Sequence, residues 1–423
     1  MKRFRFAAGT ALALLASTTA MAQPKCGQFT IAMIPDTQNY TDYTHQKAAG
    51  YPLDGVELFY EQMRWIAANA RSAGGDIVFA TQVGDVWQHY SEWTDPEHEV
   101  RGFRAMPNSG SSEVAEGPRK ETRAFEIPAA IRGFEILKGK LPFSVVPGNH
   151  DYDALWTDPA YPPQPERKDS LRIGLRHLGG LDGFRSAFSD QSEFFKGQPW
   201  YVDAHDGGAD SAQLFTVGKC RFLHIGLQFD APDASLAWAK RVLHRFPDVP
   251  TIVSTHKYLD RDGSHADTPA LDQSILDHRD NNPQMVWDKL ISENDQIFLV
   301  LSGHIGGQGY SVDHNLAGHE VHQMLADYQG RWQVAKELGW KNANATLGDG
   351  WMRLLTFRLD GPKPSVQVRT WSTFYKKFST ELPDYAAWYK AHEGMAKLSD
   401  AEYLKRDDFS FELPDYRARF GRK

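Results

Sequence analysis

The sequence predicts an α/β protein built on parallel strand–helix–strand crossovers, and three observations carry that reading. An apolar β-rich run at 28–34 is followed by apolar positions at helical spacing over 55–72 (Val56, Phe59, Met63, Ile66, Ala67, Ala70) and then by a second buried run at 76–83. Strand, helix and strand in that order make a parallel crossover. The alternation returns in the second half, with helical spacing at 234–245 and 284–293 and apolar runs at 250–255 and 296–302. Composition agrees: 41% hydrophobic and 24% charged residues in a chain of 423 is ordinary for a globular protein. That length fits two or three domains, or one large α/β domain with long insertions.

Taken in order, residues 1–22 read as a signal peptide. Lys2, Arg3 and Arg5 form a basic start, residues 11–16 an apolar centre, and Ala20-Met21-Ala22 a cleavage site. The mature chain is then expected to start at Gln23 in an exported protein, periplasmic or extracellular; a buried N-terminal helix is the alternative. Cleavage leaves 44 Lys and Arg against 54 Asp and Glu, a net charge of −10. That balance argues against nucleic acid or an anionic membrane as partner, and nothing resembles a membrane span. Oligomeric state is not legible. Cys26 and Cys220, the two cysteines, each stand just before a β-run. In an oxidising compartment such a pair reads as one disulfide, with two buried thiols as the alternative.

Residues 23–375 are expected to form the body, with a loop-rich insertion at 91–122, a second rich in Pro, Gly and aromatics at 152–200 and a third at 258–284. Insertions of this length usually act as functional rims or lids, and simple decoration of the scaffold is the alternative. Helical spacing at 124–138 precedes the run 141–146, and 214–217 with 221–227 reads as a hairpin. The runs 320–325 and 351–359 suggest a final antiparallel pair, followed by 366–371. Residues 376–423 form a C-terminal extension in which the stretch Phe378–Tyr385 is echoed by Phe409–Tyr416. A duplicated helix-entry motif clamping the tail onto the body accounts for that echo.

Five β-runs end in metal-binding residue types: Asp36, Asp85, Asn149, His256 and His304. The carboxyl ends of strands in open α/β folds converge on a ligand crevice, so these five can share one site. Isolated buried carboxylates and imidazoles are costly unless paired or ligated. Oxygen donors with neutral imidazoles suit a divalent Mn, Fe, Zn or Mg ion. A carboxylate shared by two such ions would clamp the attacking and leaving oxygens of a phosphoryl displacement.

The ordered set Asp36-Thr37-Gln38, Gly84-Asp85, Gly148-Asn149-His150-Asp151, Ser254-Thr255-His256 and Ser302-Gly303-His304 resembles the calcineurin-like metallophosphoesterase superfamily. The resemblance implies a two-sheet β-sandwich flanked by helices, in four αββα layers, holding one or two divalent ions per chain. It also implies hydrolysis of a small-molecule phosphate mono- or diester by metal-activated water. Carried over by position, Asp85 bridges two ions, Asn149, His256 and His304 complete one shell, and Asp36 belongs to the other. His150 then faces the substrate, with Asp151 orienting it.

Two departures fall on the ion held by Asp36. Gln38 stands where the family has a histidine, and Gly306 replaces the last one. Gln38 can still ligate through its amide oxygen, and His314, His319, His322 or Asp327 can supply a replacement. A catalytically weak, metal-containing ligand-binding protein on the same scaffold is therefore the alternative function. Trp87 and His89 are expected on the pocket wall and Tyr258 against substrate, while His265, Asp277 and His278 read as a solvated rim. Serine-hydrolase, nucleotide-loop and dinucleotide fingerprints find no support in the sequence.

Overall fold

The computed structural model describes residues 25–42, 50–103, 117–168, 170–266, 277–341 and 346–421. The expected signal peptide lies outside that set, as do 104–116 and 267–276 within two of the expected insertions. The fold is mixed α/β, with two seven-stranded sheets and a two-stranded one among the described residues.

In the first sheet, Gln28–Ile34 pairs in parallel with Ile77–Gln82, which pairs in parallel with Phe143–Val145. Trp351–Arg358 and then Ser365–Ser372 extend the other side antiparallel. In the second, Cys220–Gly226, Thr251–Ser254, Ile297–Ser302 and Glu320–Asp327 are successive parallel neighbours. Antiparallel strands close its edges: Gly307–His314 on one side, Asp210–Val217 and Tyr201–His205 on the other. Parallel neighbours end on the same side of their sheet, so each sheet presents a row of strand ends.

The period-two alternation decides which side chain goes where. Phe29, Ile31 and Met33 turn into a cluster shared with the second sheet, where Phe29 packs on Phe222 at 5.0 Å and Phe79 on Phe215 at 4.6 Å. Each fully buried phenylalanine there contributes roughly 1.5–3 kcal/mol. Ala32 and Ile34 turn the other way, onto Leu58, Phe59, Met63 and Ile66 of the helix Gly55–Ala68. Asp54 caps that helix through Val56 N at 3.2 Å. On the second sheet, Val253 and Val300 pack against Leu236, Val242 and Leu243 of the helix Asp233–Arg245. Strands covered on both faces read as unbroken apolar runs, which is why they stood out in the sequence.

Cys26 and Cys220 form a disulfide with Cα atoms 5.2 Å apart, tying the entry of the first sheet to the second. Removing such a link typically costs 2–5 kcal/mol. One expectation needs correction. Residues 320–325 and 351–359 are not partners: Glu320–Asp327 belongs to the second sheet and Trp351–Arg358 to the first. The pattern within a strand, covered or not, does not say which strand lies alongside it. Within the insertion 152–200, Ala154–Thr157 and Arg176–Gly179 pair antiparallel. The two echo segments add short strands to one edge, Lys377–Phe378 and Phe409–Glu412 both pairing with Ser365–Ser372. Buried ion pairs hold the tail, from Arg331 to Glu393 at 2.7 Å and from Arg353 to Asp407 at 3.1 Å.

Candidate metal centre

The row of strand ends brings Asp85 and Asn149 from the first sheet against His256 and His304 from the second. Close packing needs glycine beside two of these residues. A Cβ on Gly84, whose φ is +103°, would lie 2.4 Å from His256 Nδ1, and one on Gly148 would lie 2.2 Å from Asp85 Oδ1. Asp85 and His304 themselves take left-handed backbone, at φ +55° and +73°, a cost common where function fixes the side chain.

His256 is fully buried, and its Nδ1 donates to Val83 O at 2.9 Å. In the neutral ring Nε2 is therefore a lone pair. Around it stand Asp85 Oδ2 at 3.1 Å, Asn149 Oδ1 at 3.2 Å and His304 Nδ1 at 3.2 Å. Edges of about 3 Å are what four to six donors produce around one ion at about 2.1 Å. The other oxygen of Asp85 is held by His150 N at 2.9 Å. Burial opposes charge on Asp85, yet His256 and His150 beside it hold its carboxyl well below the usual range. Burial, then His256, pushes His304 well below the usual imidazole range. This donor set fits a divalent Mn, Fe, Zn or Mg ion.

Asp36 accepts from His304 N at 3.1 Å and from Gln329 Nε2 at 3.4 Å, and the same Gln329 amide reaches Asp327 Oδ2 at 3.2 Å. Asp327 closes the strand running parallel beside the one that leads to His304. Both carboxylates are buried; burial, then Asp327 and Asp85, raises Asp36 well above the usual range, and burial pushes Asp327 up to about 6. Gln38 opens the short helix Gln38–Thr41, and its Oε1 is buried with no hydrogen-bond partner among the described residues. Mutually repelling carboxylates with a buried oxygen acceptor nearby in the chain suit a hard cation. Of the other suggested replacements, His319 pairs with Asp295 at 2.7 Å, His322 bonds Tyr310 at 2.8 Å, and His314 is exposed.

Asp151 does not orient His150. Its carboxylate accepts from Val86 N at 2.9 Å, Trp87 N at 3.3 Å and Gly148 N at 2.8 Å, fixing the loop that carries Asp85. Backbone donors converge on it more closely than the neighbouring imidazole can. His150 Nδ1 bonds Gln88 O instead, at 2.6 Å. Trp87 is a core residue packed on Phe184. Tyr258 is fully buried, and Asp277, placed in the solvated rim, is a buried partner of Arg101 and Arg279.

Asp42, His89 and Glu126 also bring donor atoms within 4.8 Å of one another. There His89 Nδ1 lies 2.7 Å from Glu126 Oε1 and 3.9 Å from Asp42 Oδ1; the shorter is a charge-assisted hydrogen-bond length. A cavity of about 750 Å³ opens beside the main centre, lined by residues of all three insertions, including Arg101, Tyr152, Arg185 and Asp280. Its inner wall is Phe229, whose ring lies 6.0 Å from that of His256 and 5.8 Å from that of His304. Sequence reasoning did not find Gln329, Glu126 or the Gln88 carbonyl. No helix among the described residues is long and apolar enough to cross a membrane.

No family model matches the chain. The uncharacterized protein YvnB of Bacillus subtilis (strain 168) is 23% identical over 360 residues, 84% of this chain. The chain spans about a fifth of that protein's length, 20%. A solved structure titled GAP50, the anchor in the inner membrane complex of Plasmodium, is similar over 84% of this chain and 87% of its own, at 12% identity and a TM-score of 0.36.

Proposed function

We propose that this chain is an exported metal-dependent phosphoesterase of the calcineurin-like type, on a four-layer αββα sandwich, acting on a small-molecule phosphate mono- or diester. The observation that carries the reading is His256 Nε2, a lone pair ringed within 3.2 Å by a carboxylate oxygen, an amide oxygen and another imidazole nitrogen. Acceptors facing acceptors repel unless a shared proton or a cation lies between them, and a cation serves all of them at once.

Asp85, Asn149, His256 and His304 would hold one ion. Asp36 and Asp327, steadied by Gln329, would hold a second with Asp85 between them. Bound divalent ions supply Lewis acidity, drawing charge from phosphoryl oxygens and making water nucleophilic at neutral pH. The protein orients these ligands through Val83 O, the backbone of His150 and the Asp151 cradle. Nδ1 of His150 is engaged by Gln88 O, so Nε2 is the nitrogen that would meet the substrate. His150 N donates to Asp85 Oδ1 at 2.9 Å, so the residue stands beside the proposed centre. The disulfide supports export, since such bonds persist in oxidising compartments. The cavity walled by the insertions supplies room for the alcohol portion of a substrate.

The test is metal analysis of the purified chain, with hydrolysis of aryl phosphate mono- and diesters in added Mn or Zn. One or two ions per chain and turnover abolished by Asp85→Asn are expected. Bound metal without turnover under any condition would leave the ligand-binding alternative, and absence of metal would remove both.

A further inference from the structure

We propose that Glu126 is a positioning residue for His150, acting through the peptide unit between Gln88 and His89; the catalytic part of this assignment rests on the phosphoesterase reading. Asp151 is occupied elsewhere, so the tautomer of His150 needs another cause. Its Nδ1 lies 2.6 Å from Gln88 O. A carbonyl only accepts, so Nδ1 carries a proton in either charge state of the ring. In the neutral ring this hydrogen bond makes Nε2 the nitrogen that carries the lone pair. The Tyr90 ring stacks on the imidazole at 5.5 Å and fixes its plane.

The direction of the Gln88 carbonyl is set from behind. In one peptide plane, C=O of Gln88 and N–H of His89 point opposite ways. His89 N donates to Glu126 Oε2 at 3.1 Å, and Gln88 N donates to the same oxygen at 3.2 Å. The other oxygen, Oε1, takes His89 Nδ1 at 2.7 Å. A buried carboxylate thus pulls on one end of a peptide whose other end holds His150. In a low-dielectric interior such a chain polarises, strengthening the carbonyl as an acceptor. Glu126 is fully buried and closes a π-helical turn, Thr122–Glu126, an irregularity frequent at functional sites. The loop Val86–His89 therefore lies between two carboxylates, Asp151 holding its first half and Glu126 its second.

The test uses the full metal-loaded chain with histidine-selective ¹⁵N labelling, the His150 ring signals being assigned by their loss in His150→Gln. In the wild type the ring nitrogens should report Nδ1–H. In Glu126→Gln one oxygen becomes an amide N–H₂ that cannot accept, and the His150 signals should move toward the Nε2–H tautomer. kcat on an alkyl phosphoester should fall about 10–100-fold. kcat on a nitrophenyl ester, whose leaving group needs no proton, should fall less than about threefold, with metal content unchanged. His89→Asn, which removes only the contact to Oε1, should move the same signals less far, and it carries the test if Glu126→Gln does not fold. His150 signals identical to wild type in the folded variants, or equal losses on both esters, would overturn the proposal. Loss of one metal ion per chain in Glu126→Gln would also overturn it, making the cluster a cation site. A wild type without turnover would fail the phosphoesterase reading alone, because the ring signals still decide what holds His150.

Discussion

His256 and His224 are both fully buried, stand on or just beyond neighbouring parallel strands, and each engage Nδ1 in a hydrogen bond. Their Nε2 atoms meet opposite surroundings. That of His224 takes the end of a hydroxyl chain that crosses between the sheets. Ser144 Oγ donates to Thr81 Oγ1 at 2.8 Å, Thr81 to Ser254 Oγ at 2.9 Å, and Ser254 reaches Nε2 at 2.9 Å. On the far side, Nδ1 donates to Gln213 Oε1 at 2.8 Å. Donors and acceptors match at every link, and the ring is satisfied by protein alone. Two residues beyond Ser254, His256 Nε2 faces a carboxylate oxygen, an amide oxygen and an imidazole nitrogen, with no hydroxyl among them. Residue type and burial are equal in the two places; the neighbours separate a core histidine from a candidate metal ligand.

The largest effect expected from this contrast is on His256→Ala. Activity on aryl phosphates should drop by about 10³-fold or more as Lewis acidity is lost. The rise in melting temperature that Mn gives the wild type by mass action should also shrink or vanish. Equal Mn stabilisation of the variant and the wild type would break the comparison at its metal end. His224→Ala should do the reverse. Deleting a buried ring and orphaning Ser254 and Gln213 should cost about 2–4 kcal/mol in denaturant unfolding, with metal per chain unchanged. A loss of metal there would show that the layer beneath the centre is not independent of it.

Asp85, Asn149, His256 and His304 were legible because each ends an apolar run, and parallel neighbours bring such ends together whatever the loops between them do. The same logic could have singled out Asp327, which ends the run beside the one leading to His304. It is one candidate among four because a strand's own pattern does not name its partner, and the sequence alone suggests 351–359 beside 320–325. Gln329 has no signal of its own, since an amide two residues past a strand is ordinary loop chemistry. Asp151 was misassigned for a related reason: adjacency in sequence suggested the imidazole, whereas the fold delivers three backbone N–H groups from 86, 87 and 148. Glu126 precedes its functional loop's partner by a helix and a strand, a separation that no local spacing reveals.

Asp327 sharpens the comparison within the centre itself. Asp327→Asn should weaken a second ion by about 10–100-fold, as changes around metal ligands commonly do, while the His256 ion remains. Titration of the metal-free chain with Mn, followed by calorimetry, would read this as loss of one of two binding steps. Two unchanged steps would mean that Asp36 is completed by some other group.

The last expected effect is a pH dependence of stability to which His224 contributes. Burial pushes His224 down to about 3, against about 6.5 for the ring in an unfolded chain. Below 6.5 the unfolded chain takes up a proton that the folded one refuses, so the stabilisation is complete above that value and is lost as pH falls. The slope is about 1.4 kcal/mol per pH unit down to about pH 3. His322, also pushed down to about 3 by burial, adds a term of the same sign, so the wild type alone cannot isolate His224. The difference between wild type and His224→Gln can, measured as unfolding free energy at several pH values in metal-free buffer. That difference should shift against the wild type as pH drops from 6.5 toward 4. A flat difference would mean that the hydroxyl chain accepts a proton on the ring, turning Ser254 into an acceptor, and the line drawn between His224 and His256 would then rest on polarity that the protein can reverse.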